Sequence, residues 1–157
     1  MTDTDCLRAL AHGYADAVDA LDGEAFAALF TADGELWVPD VTRSPEPTIC
    51  RSGAGSLAAV PGGLARYHVT HHRVGPADYR VDGDAAVGRV TGVAHHLAAS
   101  APGPKGTAAA GGGTDTVWFL RYEDRYRRGP AGWRIARREL HLRWIEERPV
   151  DHVGPAR

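Results

Sequence analysis

Two turn signals set the architecture of the second half of this 157-residue chain. Val81-Asp-Gly-Asp84 carries the Asp-Gly pair of a tight hairpin, and Gly129-Pro-Ala-Gly132 marks a second reversal. Around them the spacing predicts strands over about 68–74, 85–98, 114–127 and 133–147. Strands this long are paired antiparallel by the hairpins, and they need a second layer to cover one face.

The last strand is predicted to bend. Trp133 and Ile135 are odd-numbered, whereas Leu140, Leu142 and Trp144 are even-numbered. A strict period of two would put the two groups on opposite faces. One extra residue near 136–139 returns both to one face and bends the strand. Bent long strands curl a sheet into a half-cone that encloses a pocket.

The first half supplies the covering layer. Leu7, Leu10, Ala11, Tyr14, Val18 and Leu21 recur at helical spacing and predict an amphipathic helix from about 4 to 21. Asp22 is placed to cap a second helix, with Phe26, Leu29 and Phe30 turned inward. Glu35-Leu-Trp-Val38 reads as a strand. The 39–47 segment holds three prolines and no regular element, and 55–66 reads as a weak third helix broken by Pro61-Gly-Gly63. Residues 100–113 are Gly-, Ala- and Pro-rich, which suits a loop. The expected class is α+β: a curled antiparallel sheet forming a half-cone against three N-terminal helices, one domain over 1–150 and a loose tail at 151–157.

Composition excludes several functions. A net charge of −2, with the Arg residues of 121–148 interleaved with acids, gives no footprint for nucleic acid. Cys6 and Cys50 form no disulfide framework or metal spacing, and the eight histidines include no His-x-His or His-Glu-x-x-His pattern. No metal site is expected. No Gly-x-Gly-x-x-Gly follows a strand, so no nucleotide cofactor is implied. The acidic Met1-Thr-Asp-Thr-Asp5 lacks the apolar run of a secretory signal, and no run is long enough to cross a bilayer. A cytoplasmic protein is expected.

The residues suited to acid/base chemistry are a phenol and carboxylates near the end of the first helix, Tyr14, Asp19 and Asp22, and the cluster Tyr67-His-Val-Thr-His-His72. His68, Thr70 and His72 share one strand face, and His71 points the other way. A carboxylate that accepts from one imidazole nitrogen fixes the tautomer and makes the other nitrogen a better base. Periodicity alone places Asp22 nearer the apolar stripe than Asp19, but Asp22 already has work as a cap. His95 and His96 are adjacent, so one of them faces the pocket. Trp118, Tyr122 and Tyr126 alternate onto one face, as core or pocket wall.

The order helix, helix, strand, helix and long curled strands resembles the nuclear-transport-factor-2-like fold. Within it the chain is similar to the SnoaL-like group, in its scytalone-dehydratase-like and bile-acid-dehydratase-like branch. Three stretches carry the likeness: Tyr14 to Val38, His68 to Gly88, and Tyr122-Glu-Asp-Arg-Tyr through Gly132-Trp-Arg-Ile-Ala-Arg-Arg138. The resemblance implies an Asp late in the first helix, here Asp19, with Tyr14 five residues before it. It implies a His opening the strand after the third helix, here His68, and a polar residue four further on, here His72. It also implies a second polar group at His96 and an Arg late in the last strand, for which Arg143 is nearest. With Trp118 and Tyr122 as walls, the resemblance implies a cofactor-free lyase or isomerase on a small apolar, polyketide- or steroid-like ring. His68 would be the base, Asp19 its orienter, and Tyr14 or a second His the group that polarises oxygen. An aldol-type cyclase and a non-catalytic binding or assembly domain are the rivals. The resemblance further implies a homodimer or homotrimer, to which long strands rich in Trp, Tyr and Arg would offer a face.

Overall fold

The computed structural model describes residues 1–100 and 111–154. Most of the expected 100–113 loop thus lies outside the described residues. Helix α1 (Asp3–Asp19) begins at a reciprocal cap: Thr2 Oγ1 accepts from the Asp5 N–H at 3.2 Å, and Asp5 Oδ2 accepts from the Thr2 N–H at 3.0 Å. Leu7, Leu10, Ala11, Tyr14 and Val18 are its buried face. It stops abruptly because Leu21 takes a left-handed φ of 57°, and the Asp22 N–H reaches back to the Ala17 carbonyl at 2.9 Å. Asp22 then caps α2 (Gly23–Ala28), its Oδ1 accepting from the Ala25 N–H at 2.9 Å.

Phe30, expected to finish the second helix, instead opens strand β1 (Phe30–Pro39) and stays buried there. Strand β2 (Pro47–Ser52), helix α3 (Ala54–Ala58) and a single 3₁₀ turn (Pro61–Leu64) complete the front half. Strands β3 (Val69–Asp82), β4 (Ala85–Ala99), β5 (Gly113–Gly129) and β6 (Gly132–Val150) follow. Strand β3 runs well past the predicted end at Val74. It survives Gly75-Pro76 because the register slips there, with Val74 opposite Gly92 and Ala77 opposite Val90.

The six strands form one curled, unclosed sheet in the order β2-β1-β6-β5-β4-β3. All neighbours are antiparallel except β1 and β6, which pair parallel, so the sheet is mixed rather than purely antiparallel. Two bulges bend β6. Ala136 is squeezed between the Ile135–Tyr126 and Arg137–Arg125 pairs, within the predicted stretch. Arg143 is squeezed between the Leu142–Leu120 and Trp144–Phe119 pairs. The first bulge brings Trp133, Ile135, Arg138 and Leu140 onto the inner face. The second sends Trp144 outward, where it stacks on Phe119 at 4.3 Å, contrary to the expectation that it shares a face with Leu142.

The core between α1 and the sheet contains a buried ion pair. Arg138 Nε and Nη2 donate to Asp124 Oδ1 and Oδ2 at 2.8 and 2.7 Å, with side chains 1% and 0% exposed. The Tyr126 hydroxyl donates to the same carboxylate at 2.5 Å. The guanidinium also lies against the rings of Tyr14 and Tyr122, at 4.3 and 4.4 Å. Asp124 holds the guanidinium in its charged form, although burial opposes it. Breaking such a pair from one side leaves an uncompensated charge. Asp124→Asn should therefore cost about 3–5 kcal/mol in urea denaturation, whereas Asp124→Leu combined with Arg138→Met should cost less than the single change.

Candidate active site

The inner side of the half-cone closes around an apolar cavity of about 230 Å³. Val18, Leu36, Val38, Leu64, Ala94, Leu120 and Leu140 line it, together with Tyr14, Tyr67, His72, His96, Trp118 and Tyr122. Strand β4 turns Ala86, Val90, Ala94 and His96 inward, with Gly92 between them. A β-carbon at Gly92 would stand 2.7 Å from the Tyr122 ring, so only glycine lets that ring lie across the strand.

Asp19 is the hub at one end. Its Oδ1 accepts from Thr70 Oγ1 at 2.9 Å and lies 2.7 Å from His72 Nδ1, while its Oδ2 accepts from the His72 backbone N–H at 2.7 Å. A carboxylate in the last turn of a helix faces the negative end of the helix dipole, and no basic residue occupies that turn of α1. Burial also disfavours its charge. The side-chain and backbone hydrogen bonds of His72, the His72 charge and Thr70 outweigh the burial and hold the Asp19 pKa down at about 2. A carboxylate only accepts, so Nδ1–H is donated to Asp19 and the neutral form of the ring presents Nε2 as its acceptor; the side chain is only 10% exposed.

His68 is a correction. Its N–H pairs with the Leu97 carbonyl one residue before β3 begins, and its Nε2 meets the Gly154 carbonyl at 2.8 Å. The end of α1 reaches the strand two to four residues further on, so Thr70 and His72 meet Asp19 in its place. Asp22 is exposed at its cap. Arg143 is a second correction: it is the extra residue of a bulge, exposed on the outer sheet face beside Trp144 and outside the cavity. Tyr14, Trp118, Tyr122 and His96 do line the cavity.

His96 is buried, and its Nδ1 lies 3.1 Å from the Thr116 carbonyl, which requires Nδ1–H. Burial, only partly opposed by that bond, lowers its pKa to about 4, so the ring is neutral near pH 7 with Nε2 as an acceptor. Burial pushes the Tyr14 hydroxyl up to about 12 and that of Tyr122 higher still, so both remain proton donors. The cavity thus brings together an imidazole held by a carboxylate, a neutral imidazole and two phenols. Sequence reading missed Arg138 and Asp124 behind those phenols. The sole signal was an Arg and an Asp on the register-shifted inner faces of β5 and β6.

The Asp19 shift has a sign that can be measured. A carboxyl depressed in the folded state contributes its stability above the unfolded pKa of about 3.9 and loses it as pH falls through the folded value. The stability gap between wild type and Asp19→Asn, read by urea titration, should reach about 2 kcal/mol above pH ~4 and shrink steadily toward pH ~2.

The SnoaL-like domain profile matches residues 1–139. A protein of unknown function from Mycobacterium tuberculosis is 28% identical, with a TM-score of 0.66 over 87% of this chain and 69% of that one. An NTF2-like protein with a cystatin-like fold from Novosphingobium aromaticivorans is 29% identical, with a TM-score of 0.62 over 89% and 81%. A scytalone-dehydratase-like protein from Novosphingobium aromaticivorans is 21% identical, with a TM-score of 0.69 over 100% of both chains. Among proteins of curated function none matches the sequence. With a match across most of its length and the curled sheet those structures share, this chain belongs to the SnoaL-like domain family.

Proposed function

We propose that this protein is a lyase or isomerase that uses its own side chains to move a proton on a small, largely apolar ring bearing a carbonyl. The observation that carries this reading is Asp19 bound to His72 Nδ1 at the wall of the apolar cavity. His72 Nε2 removes a proton from the carbon next to the carbonyl. The electron pair moves onto the carbonyl oxygen, which accepts hydrogen bonds from Tyr14 and Tyr122. The guanidinium of Arg138 against both rings strengthens them as donors as charge develops. Asp19 stabilises the imidazolium. In a dehydration, that imidazolium returns its proton to a departing hydroxyl for which His96 Nε2 is the acceptor. In an isomerisation, it returns the proton to another carbon. The likeness to a scytalone-dehydratase-like protein supports the first course. An aldol-type cyclisation would start with the same proton transfer.

That shared first step gives the test. In D2O, the wild-type protein should accelerate exchange of the α-protons of 2-tetralone, followed by proton NMR. His72→Gln should lower the accelerated rate by roughly 10²-fold or more, while His68→Gln stays near wild type. Equal rates for wild type and His72→Gln would remove the catalytic reading and leave a binding domain.

We also propose self-association through the outer sheet face, where Trp144 is 51% exposed and stacks on Phe119. Light scattering at micromolar concentration should give a dimer or trimer mass, and Trp144→Glu should shift it toward the monomer.

A further inference from the structure

The described residues that line the cavity include one fixed charge, Arg66. Its side chain is exposed where the 3₁₀ turn meets the cavity, beside Gly63, Leu64 and Tyr67. It is held in place from two sides. Nη1 donates to the Gly63 carbonyl at 3.2 Å, Nη2 donates to the Tyr67 hydroxyl at 3.1 Å, and the guanidinium lies 4.7 Å from the Tyr67 ring centre. Tyr67 in turn packs on His96 at 5.0 Å, which ties the group to the inner wall.

Five N–H bonds point out from a guanidinium, and these contacts occupy two of them. No carboxylate among the described residues lies within ion-pair distance of Arg66. Arg127, Arg128, Arg137 and Arg138, on β5 and β6, each pair with an acid. A positioned, acid-free guanidinium at the rim of an apolar cavity is a receptor for a planar anion, because its fork matches two carboxylate oxygens. Its field also reaches inside, since it contributes to the lowered pKa of His96.

We infer that Arg66 is a specificity residue that selects a substrate bearing a carboxylate at the mouth, its ring inside and its reacting carbon toward His72. This inference rests on the proposed function for the site's role, and it adds the class of molecule admitted: an aromatic or alicyclic acid rather than a neutral ring. The phenols of Tyr14 and Tyr122 bind a neutral or developing oxygen at depth, so the two ends recognise different oxygens on one molecule.

The test compares two probes of similar shape, 2-naphthoate and 2-acetylnaphthalene, by isothermal titration calorimetry and by the ring signals of His72 and His96 in NMR. Wild type should bind 2-naphthoate about tenfold more tightly than the ketone, with a preference that weakens as salt rises. Arg66→Gln should abolish the preference and leave the affinity for 2-acetylnaphthalene unchanged. Arg66→Lys should keep part of it. A preference that survives in Arg66→Gln overturns the inference, as does naphthoate binding that moves neither histidine signal. The catalytic reading fails separately, through tetralone exchange that does not depend on His72, so the two can be told apart.

Discussion

The Asp124–Arg138 pair organises this molecule from inside. It joins two adjacent strands, accepts a hydrogen bond from Tyr126 and presents its cation to the rings of Tyr14 and Tyr122. Tyr14 belongs to α1, so the position of the helix over the sheet is fixed by one cation shared between two aromatic faces. Two charges out of water need this many partners to be tolerated. The same partners set the inner wall of the cavity, so the stability of the core and the shape of the site depend on one group.

From that anchor the helix delivers Asp19. Tyr14 and Asp19 are separated by little more than one turn of α1, so fixing the first fixes the second against β3. The left-handed Leu21 ends the helix immediately after the carboxylate, and α2 starts afresh from the Asp22 cap. Asp19 stands at the unfavourable end of its helix dipole and relies on Thr70 and His72 for compensation. A carboxylate so dependent on its neighbours holds them firmly in return, and this gives the imidazole a single tautomer.

Much of this was legible in the sequence where a periodic signal existed. The α1 stripe, the Asp22 cap, the Asp-Gly turn and the Ala136 bulge followed from spacing and parity alone. The partner of Asp19 did not, because His68 and His72 lie on one strand face and parity cannot choose between them. The choice depends on where the end of α1 lands, which tertiary packing alone decides. Trp144 was misplaced because a second bulge reset the parity near the end of β6, whereas Arg143 entered the site through the family resemblance although the parity of Leu140 and Leu142 points it away. Arg138 was missed because a charged residue reads as surface unless its acid is known to lie beside it. The parallel β1–β6 pairing carries no local signal at all.

Strand β3 is the edge of the sheet and also the strand that carries His72. A free edge this long is a template on which another chain could add a strand. Here the Gly75-Pro76 bulge interrupts it, proline removes a backbone donor, and Arg73, Asp78 and Arg80 are exposed along it. The edge therefore resists fibril-like stacking, and the histidine can sit on the outermost strand, close to solvent, without that strand serving as a nucleus for aggregation.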